Sequence, residues 1–141
     1  MIRRAPKADR TLDGSVFDSK AEMLRFQELR LLERAGKIIN LRRQVKYPLI
    51  INGRPVLIRS DGYPEGRAAK YTADFVYTDI DGNDDWPLRE TIEDMKGFST
   101  EAARLRIAVV EALYNVRIKI TGANQYRTKK RRMRLEDYFG A

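Results

Sequence analysis

The order of helical and strand-like segments is the feature that most constrains how this chain can fold. Residues 18–35 have apolar side chains at helical spacing, with Ser19 placed to cap the start and Gly36 placed to end the helix. Residues 100–114 form a second amphipathic segment, which Thr100 can cap. The positions of the first helix that we expect to face the core are Ala21, Leu24, Leu31, Leu32 and Ala35.

Strand-like segments lie between the two predicted helices, and a short one follows the second helix. They are Ile38–Leu41, Val45–Ile51, Val56–Arg59, 71–78, 89–96 and Val116–Ile120. Asn52-Gly53 is typical of a hairpin turn, and Pro48 indicates an edge position or a bulge. Residues 60–70 are rich in Gly and Pro and are predicted to be a loop, with a turn at 81–84. The order helix, strands, helix, strand predicts an α/β fold with a central mixed sheet flanked by helices.

Composition limits the chemistry that the chain can perform. Its 141 residues fit one domain, which we place at 17–121 between a basic flexible arm at 1–16 and a basic tail at 122–141. Cys and His are both absent, which excludes disulfides, cysteine–zinc sites, thiol catalysis and a histidine general base. The net charge of +8 favours nucleic acid as a partner. Neither a long apolar run nor a signal peptide is evident, so we expect a soluble, cytoplasmic protein.

Four charged residues form a candidate hydrolytic site. Asp94 and Lys96 are two positions apart on one predicted strand, so their side chains point to the same side. Asp74 interrupts the apolar strand before it, and Glu22 lies in the first turn of the first helix. Clustered carboxylates repel one another, and a divalent cation that prefers oxygen ligands relieves that repulsion. Such an ion polarises a phosphate and lowers the pKa of a bound water, which Lys96 is placed to orient.

Each of these residues also has a purely structural interpretation. Ser19 and Glu22 have the spacing of a capping box, in which Glu22 serves only the start of the helix. Asp94 and Lys96 can form an exposed ion pair of little energetic value. Glu93 points away from Asp94 and is interpreted as a salt-bridge or surface residue.

The pattern resembles the PD-(D/E)xK nuclease superfamily, and in particular phage and archaeal Holliday-junction-resolving endonucleases. The residues that carry the resemblance are FDSKAE (Phe17–Glu22), ADF (Ala73–Phe75) and EDMKG (Glu93–Gly97). It implies a restriction-endonuclease-like core with catalytic residues Glu22, Asp74, Asp94 and Lys96. It also implies an Mg²⁺ site, which Mn²⁺ can share, formed by Asp74, Asp94 and the backbone carbonyl of Met95, with Glu22 as a further candidate ligand.

This resemblance implies a homodimeric endonuclease that makes paired cuts in four-way DNA junctions, and it is compatible with a phage origin. The alternatives are a nicking or restriction-like nuclease of the same superfamily, or a non-catalytic DNA-binding module. Candidate DNA-binding residues are Gln44, Arg43, Lys46, Arg127, Lys129, Lys130, Arg131, Arg132 and Arg134. A further candidate is a short helical anchor for a sliding clamp, formed by Leu135, Tyr138 and Phe139.

Overall fold

The computed structural model describes residues 4–80, 90–95 and 100–121. In chain order, its elements are a 3-10 helix (Lys7–Arg10), β1 (Thr11–Leu12), β2 (Ser15–Val16), α1 (Lys20–Arg34), β3 (Ile38–Pro48), β4 (Ile50–Ile51), β5 (Arg54–Pro55), β6 (Leu57–Ser60), β7 (Tyr63–Ala68), β8 (Lys70–Asp79), β9 (Glu90–Asp94), α2 (Glu101–Tyr114) and β10 (Ile118–Ile120). The predicted turn at 81–84, Lys96 and the basic tail at 122–141 lie outside the described residues.

A mixed sheet forms the centre of the described fold. Its strands follow the order β10, β9, β8, β3, with β10 parallel to β9 and the other neighbours antiparallel. The predicted α/β architecture with a central mixed sheet is therefore confirmed. The two segments predicted at 38–41 and 45–51 mostly merge into the single edge strand β3, which is irregular between Ile39 and Arg42. Pro48 ends this edge strand, as expected for a residue that cannot donate to a ladder.

Helix α1 begins as the sequence predicts but buries a different face. The Ser19 hydroxyl accepts a hydrogen bond from the Glu22 backbone N–H at 3.1 Å, and Gly36 follows the helix with a φ of 74°. The predicted core positions are wrong, since Ala21, Leu24, Leu31, Leu32 and Ala35 are all exposed. The buried residues of α1 are Glu22, Met23 and Leu29.

The two described α-helices cover opposite faces of the sheet. Leu29 of α1 packs in a core cluster with Ile38, Phe75 and Tyr77. The second cluster joins α2 to the sheet and consists of Leu49, Ala69, Tyr71, Ala73, Val76, Ile92, Ile107, Val110 and Ile118. Thr100 caps α2 as predicted, since its Oγ1 accepts from the Ala103 N–H at 3.1 Å. Burial against a helix on each face explains why most residues of β8 are buried, including consecutive ones.

Residues 49–69 form two hairpins between β3 and β8. Asn52 and Gly53 have φ values of 53° and 75° and connect β4 to β5, which confirms the predicted two-residue turn. The loop predicted at 60–70 is wrong, because residues 63–68 form β7 and pair with β6. Gly66 permits this pairing, since a Cβ there would lie 2.7 Å from the Leu57 Cβ.

The N-terminal segment has regular structure where the sequence predicted a flexible arm. Residues 7–16 form the 3-10 helix and the β1–β2 hairpin. Arg10 Nη1 donates to the Phe17 carbonyl at 2.6 Å, and Asp13 pairs with Arg30 of α1 at 2.6 Å. These contacts fasten the segment to the domain. Neither helix of the described part of the chain has the length and hydropathy needed to span a membrane.

Candidate active site

A row of polar residues crosses three neighbouring strands of the central sheet. The strand register pairs Arg43 with Phe75 and Phe75 with Glu93. One position further along, the same register aligns Gln44 of β3, Asp74 of β8 and Asp94 of β9. The predicted pairing of the strands that carry Asp74 and Asp94 is therefore confirmed.

The alternation of side chains between the two faces of β8 is interrupted at this row. Tyr71 and Ala73 belong to the core cluster with α2, whereas Phe75 and Tyr77 belong to the cluster with α1. Odd-numbered residues of β8 thus change side at Asp74. Gln44 on the neighbouring strand has a φ of 52°, in the left-handed region that residues other than Gly seldom adopt. Uncommon backbone geometry of this kind is concentrated at functional sites in proteins.

Gln44 and Asp74 link the row to the first helix. The Gln44 Nε2 donates to the Glu22 Oε1 at 3.2 Å and to the Asp74 Oδ1 at 3.4 Å. The other Asp74 oxygen, Oδ2, accepts from the Met95 backbone N–H at 2.9 Å. One amide therefore joins carboxylates that lie 52 residues apart in sequence, from position 22 to position 74.

Glu22 takes part both in the helix start and in this site. Its backbone N–H completes half of the predicted capping box with Ser19. Its carboxylate reaches Gln44, and its Oε1 also lies 3.9 Å from the Arg43 guanidinium. The capping interpretation and the site interpretation are thus compatible, because they involve different atoms of Glu22.

Asp94 completes the row on the side of α2. Its Oδ2 accepts a hydrogen bond from the Tyr71 hydroxyl at 2.7 Å. Burial, followed by this bond, raises the pKa of Tyr71 well above its ordinary value, so that the phenol remains a donor. Asp94 also lines a cavity of about 780 Å³ between the β6–β7 hairpin and α2.

Burial strongly affects the ionisation of Asp74. Glu22, Asp74 and Asp94 are only 2%, 4% and 7% exposed. Burial raises the pKa of Asp74 to about 7, and the Met95 N–H opposes this shift. The nearby charges of Glu22 and Asp94, and a hydrogen bond with Asp94, contribute smaller parts of the same rise in pKa. Carboxylate repulsion therefore acts as the sequence predicts, but burial is the larger cause.

The chemistry of this donor set fits a hard divalent cation. Asp74 and Asp94 are adjacent and buried, and the raised pKa of Asp74 reflects negative charge that a cation would stabilise. Mg²⁺ is commonly held by one or two carboxylates, with waters completing its ligands. Within residues 4–80, 90–95 and 100–121, no group of three or more acidic side chains is arranged to hold a metal ion. A metal site formed by Asp74, Asp94 and the Met95 carbonyl, with Glu22 as a further candidate ligand, therefore stays a prediction.

Glu93 lies on the opposite side of β9 from Asp94. It is fully buried, and Arg25 of α1 donates to both of its oxygens, at 2.8 and 3.3 Å. The salt bridge that the sequence allowed for Glu93 is confirmed. This ion pair fixes α1 to the sheet and leaves Asp94 as the acid that faces the cavity.

The remaining candidate DNA-binding residues differ in their surroundings. The Arg43 guanidinium lies 3.6 Å from the centroid of the Phe17 ring and is partly buried, whereas Lys46 is exposed on β3. Arg127, Lys129, Lys130, Arg131, Arg132 and Arg134 lie outside the described residues, as do Leu135, Tyr138 and Phe139. DNA contact by all of these residues stays a prediction.

Tyr71 is a site residue that the sequence analysis missed. It lies three positions before Asp74 in an apolar strand, where an aromatic residue is typical of the core. Its role follows only from the fold, which brings its hydroxyl to Asp94. The sequence holds no spacing signal for this contact, because Tyr71 and Asp94 come from different strands.

Comparison with protein families places the chain among known sequences. A family model described as "Protein of unknown function (DUF1064)" matches residues 4–131. The chain belongs to this family. The DUF1064 match spans the whole described fold and the positions of Glu22, Gln44, Asp74, Asp94 and Lys96. No curated protein and no solved structure matches the chain significantly.

Proposed function

We propose that this chain is a metal-dependent DNA endonuclease of the PD-(D/E)xK type. One observation carries the proposal. Asp74 and Asp94 are buried side by side on adjacent strands, and Gln44 connects Asp74 to Glu22 of the first helix. A protein that only binds DNA gains nothing from acidic side chains gathered where phosphates would lie, because like charges repel.

The fold supports the proposal at a coarser level. A mixed sheet with one helix on each face is compatible with a restriction-endonuclease-like core, which is the finer fold that we propose. The resemblance of FDSKAE, ADF and EDMKG to the superfamily pattern assigns catalytic roles to Asp74 and Asp94 on adjacent strands, and to Glu22, which Gln44 links to Asp74. It assigns a further role to Lys96, which lies outside the described residues.

The proposed roles of the residues follow from their contacts. Asp74, Asp94 and the Met95 carbonyl would hold Mg²⁺, and Mn²⁺ would substitute for it. Bound there, the ion would polarise the scissile phosphate and lower the pKa of a bound water. Gln44 orients the Asp74 and Glu22 carboxylates through its amide, and Tyr71 orients Asp94. We assign to Lys96 the orientation of the attacking water.

The substrate that we propose is branched DNA, with the four-way junction as the leading candidate. The net charge of +8 favours phosphate binding, and a homodimer with twofold symmetry would supply two sites for paired cuts. Both statements rest on the resemblance to junction-resolving enzymes and on charge.

One cleavage experiment tests these proposals together. The protein is incubated with Mg²⁺ and end-labelled four-way junction, Y-shaped, nicked and linear duplex DNA. We expect symmetric paired cuts in the junction. Cleavage of linear duplex at a fixed sequence would instead favour a restriction-like enzyme, and binding without cleavage in Mg²⁺ or Mn²⁺ would favour a DNA-binding module.

A matched pair of variants tests the site itself. Asp74→Asn retains the shape of the side chain and should abolish cleavage while junction binding persists. Asp61→Asn removes the same charge from the exposed turn between β6 and β7 and should leave cleavage unchanged. Full activity in the Asp74 variant would overturn the metal-site assignment.

A further inference from the structure

The cavity beside Asp94 has two chemically different walls. Apolar side chains, including Ile58 of β6 and Ile107 of α2, form part of its surface. Three basic residues also line it, namely Arg67 of β7, Lys70 of β8 and Arg106 of α2. Asp94 and Tyr71 lie in the same lining, so the cavity reaches one of the two carboxylates of the proposed metal site.

The three basic residues come from three separate elements and are exposed. Among the residues that the structure describes, none of the three forms a salt bridge with a carboxylate. The Arg67 guanidinium instead lies 4.8 Å from the centroid of the Tyr63 ring. Three cations around a single cavity favour a ligand with several negative charges.

The size of the cavity limits the form of that ligand. Its volume of about 780 Å³ is within the range of sites that enclose small ligands. This volume is much smaller than a segment of DNA duplex, whose major groove alone is about 12 Å wide and about 8.5 Å deep. Asp94 is only 7% exposed, so a phosphate must enter the cavity to approach it. A single strand satisfies both conditions, with sugars and bases against the apolar wall.

We propose that this cavity binds an unpaired DNA strand, whose phosphates are contacted by Arg67, Lys70 and Arg106. The inference rests on the proposed function and adds that the cleaved strand leaves its duplex at the site. Branched DNA provides such strands at its branch point. None of these three residues is among the candidate DNA-binding residues that were predicted from the sequence.

Binding is measured by fluorescence anisotropy in EDTA, so that cleavage is not required. The probes are a labelled 12-nucleotide oligothymidylate, a blunt duplex of equal length and the matching oligouridylate. We expect the full chain to bind the oligothymidylate at least tenfold more tightly than the duplex. The triple variant Arg67→Ala, Lys70→Ala, Arg106→Ala should lose at least tenfold affinity for it.

The salt dependence of binding shows how many phosphate contacts the triple variant has lost. Each phosphate contact on a single strand contributes about 0.7 to the slope of log K against log salt, so the triple variant should lose about 2. The control is a second triple variant, Arg59→Ala, Arg104→Ala, Arg117→Ala. It removes the same charge from exposed positions that do not line the cavity. This control should retain most of the affinity.

Three results would overturn the proposal. The first is an equal loss of affinity for the oligothymidylate in the two triple variants. The second is that the duplex binds as tightly as the single strand, and the third is that only the oligouridylate binds. Thermal unfolding checks that both variants fold, and Arg106→Gln alone should still weaken binding severalfold. Strand binding through the cavity without any cleavage would overturn only the nuclease proposal. Unchanged binding and cleavage in the cavity variant would overturn only this inference.

Discussion

Replacing Asp74 by Asn should stabilise the metal-free protein at neutral and alkaline pH. The Asp74 side chain is 4% exposed, and burial raises its pKa from 3.8 to about 7. Glu22 and Asp94 contribute smaller parts of this rise in pKa, while the Met95 N–H opposes it. Folding therefore favours the protonated form of this carboxyl. An asparagine is neutral at every pH, and its side-chain oxygen can still accept the Met95 N–H.

The direction and size of the effect follow from the two pKa values. In the unfolded chain Asp74 loses its proton near pH 3.8, whereas the folded protein retains the proton until about pH 7. The contribution of Asp74 to the free energy of unfolding is therefore greatest below about pH 4. It decreases as the pH rises and is lost above about pH 7. Each pH unit in that window is worth about 1.4 kcal/mol, so the total is about 4 kcal/mol.

Urea unfolding in EDTA, from pH 4.5 to pH 8.5, measures the effect. The free energy of unfolding of Asp74→Asn minus that of the parent should rise by about 3 kcal/mol from pH 4.5 to about pH 7 and then stay constant, because about 1 kcal/mol of the total effect occurs below pH 4.5. Asp61→Asn removes an exposed carboxylate and should show no such rise. Parallel curves for Asp74→Asn and the parent would refute the argument. Adding Mg²⁺ at pH 8 should narrow the difference if the ion binds ionised Asp74.

Three further substitutions test other parts of the structure. Arg25→Met leaves the buried Glu93 carboxylate without its guanidinium and should cost about 3–5 kcal/mol in urea unfolding, most of which the double variant with Glu93→Leu should recover. Tyr71→Phe removes the donor to Asp94 and should lower kcat about tenfold or more in Mg²⁺ cleavage assays, with little change in DNA binding by anisotropy. Gly66→Ala forces a Cβ against β6 at a φ of 95° and should cost about 1–3 kcal/mol in thermal unfolding.

Local signals in the sequence predicted local features of the fold. Ser19 and Thr100 cap the helices for which their hydroxyls were identified. Asn52-Gly53 forms its hairpin because both residues tolerate positive φ. In each case the residues that carry the signal also form the contact, so no distant part of the chain is needed to decide the outcome.

The buried face of α1 depended instead on a distant partner. Helical spacing identified Leu24 and Leu31, yet they are 45% and 63% exposed. Glu22 and Arg25 turn toward the sheet because their partners, Gln44 and Glu93, lie on strands there. Apolar periodicity reflects only the free energy of transferring apolar side chains out of water. It does not identify polar groups that are buried together with a hydrogen-bond or ion-pair partner.

The rule that strand side chains alternate between faces predicted the two sides of β9 but fails on β8, the strand that carries Asp74. It placed Asp94 and Glu93 on opposite sides of β9, as in the structure. On β8 the same rule fails at Asp74, where odd-numbered residues change from the α2 side to the α1 side. The change coincides with the positive φ of Gln44 on the adjacent strand, which no turn residue in the sequence announces.

The charges of two buried carboxylates in this sheet, Glu93 and Asp74, are compensated in different ways. Glu93 receives two hydrogen bonds from a guanidinium, so its charge is compensated within the domain. Asp74 receives bonds from neutral donors, the Met95 N–H and the Gln44 amide, and no cation pairs with it in residues 4–80, 90–95 and 100–121. Below about pH 7 a proton neutralises it. Above that pH an uncompensated buried charge destabilises the fold, and a bound cation would remove this cost. The stabilisation that a bound metal ion adds should therefore increase with pH as Asp74 ionises, which a purely structural carboxylate would not show.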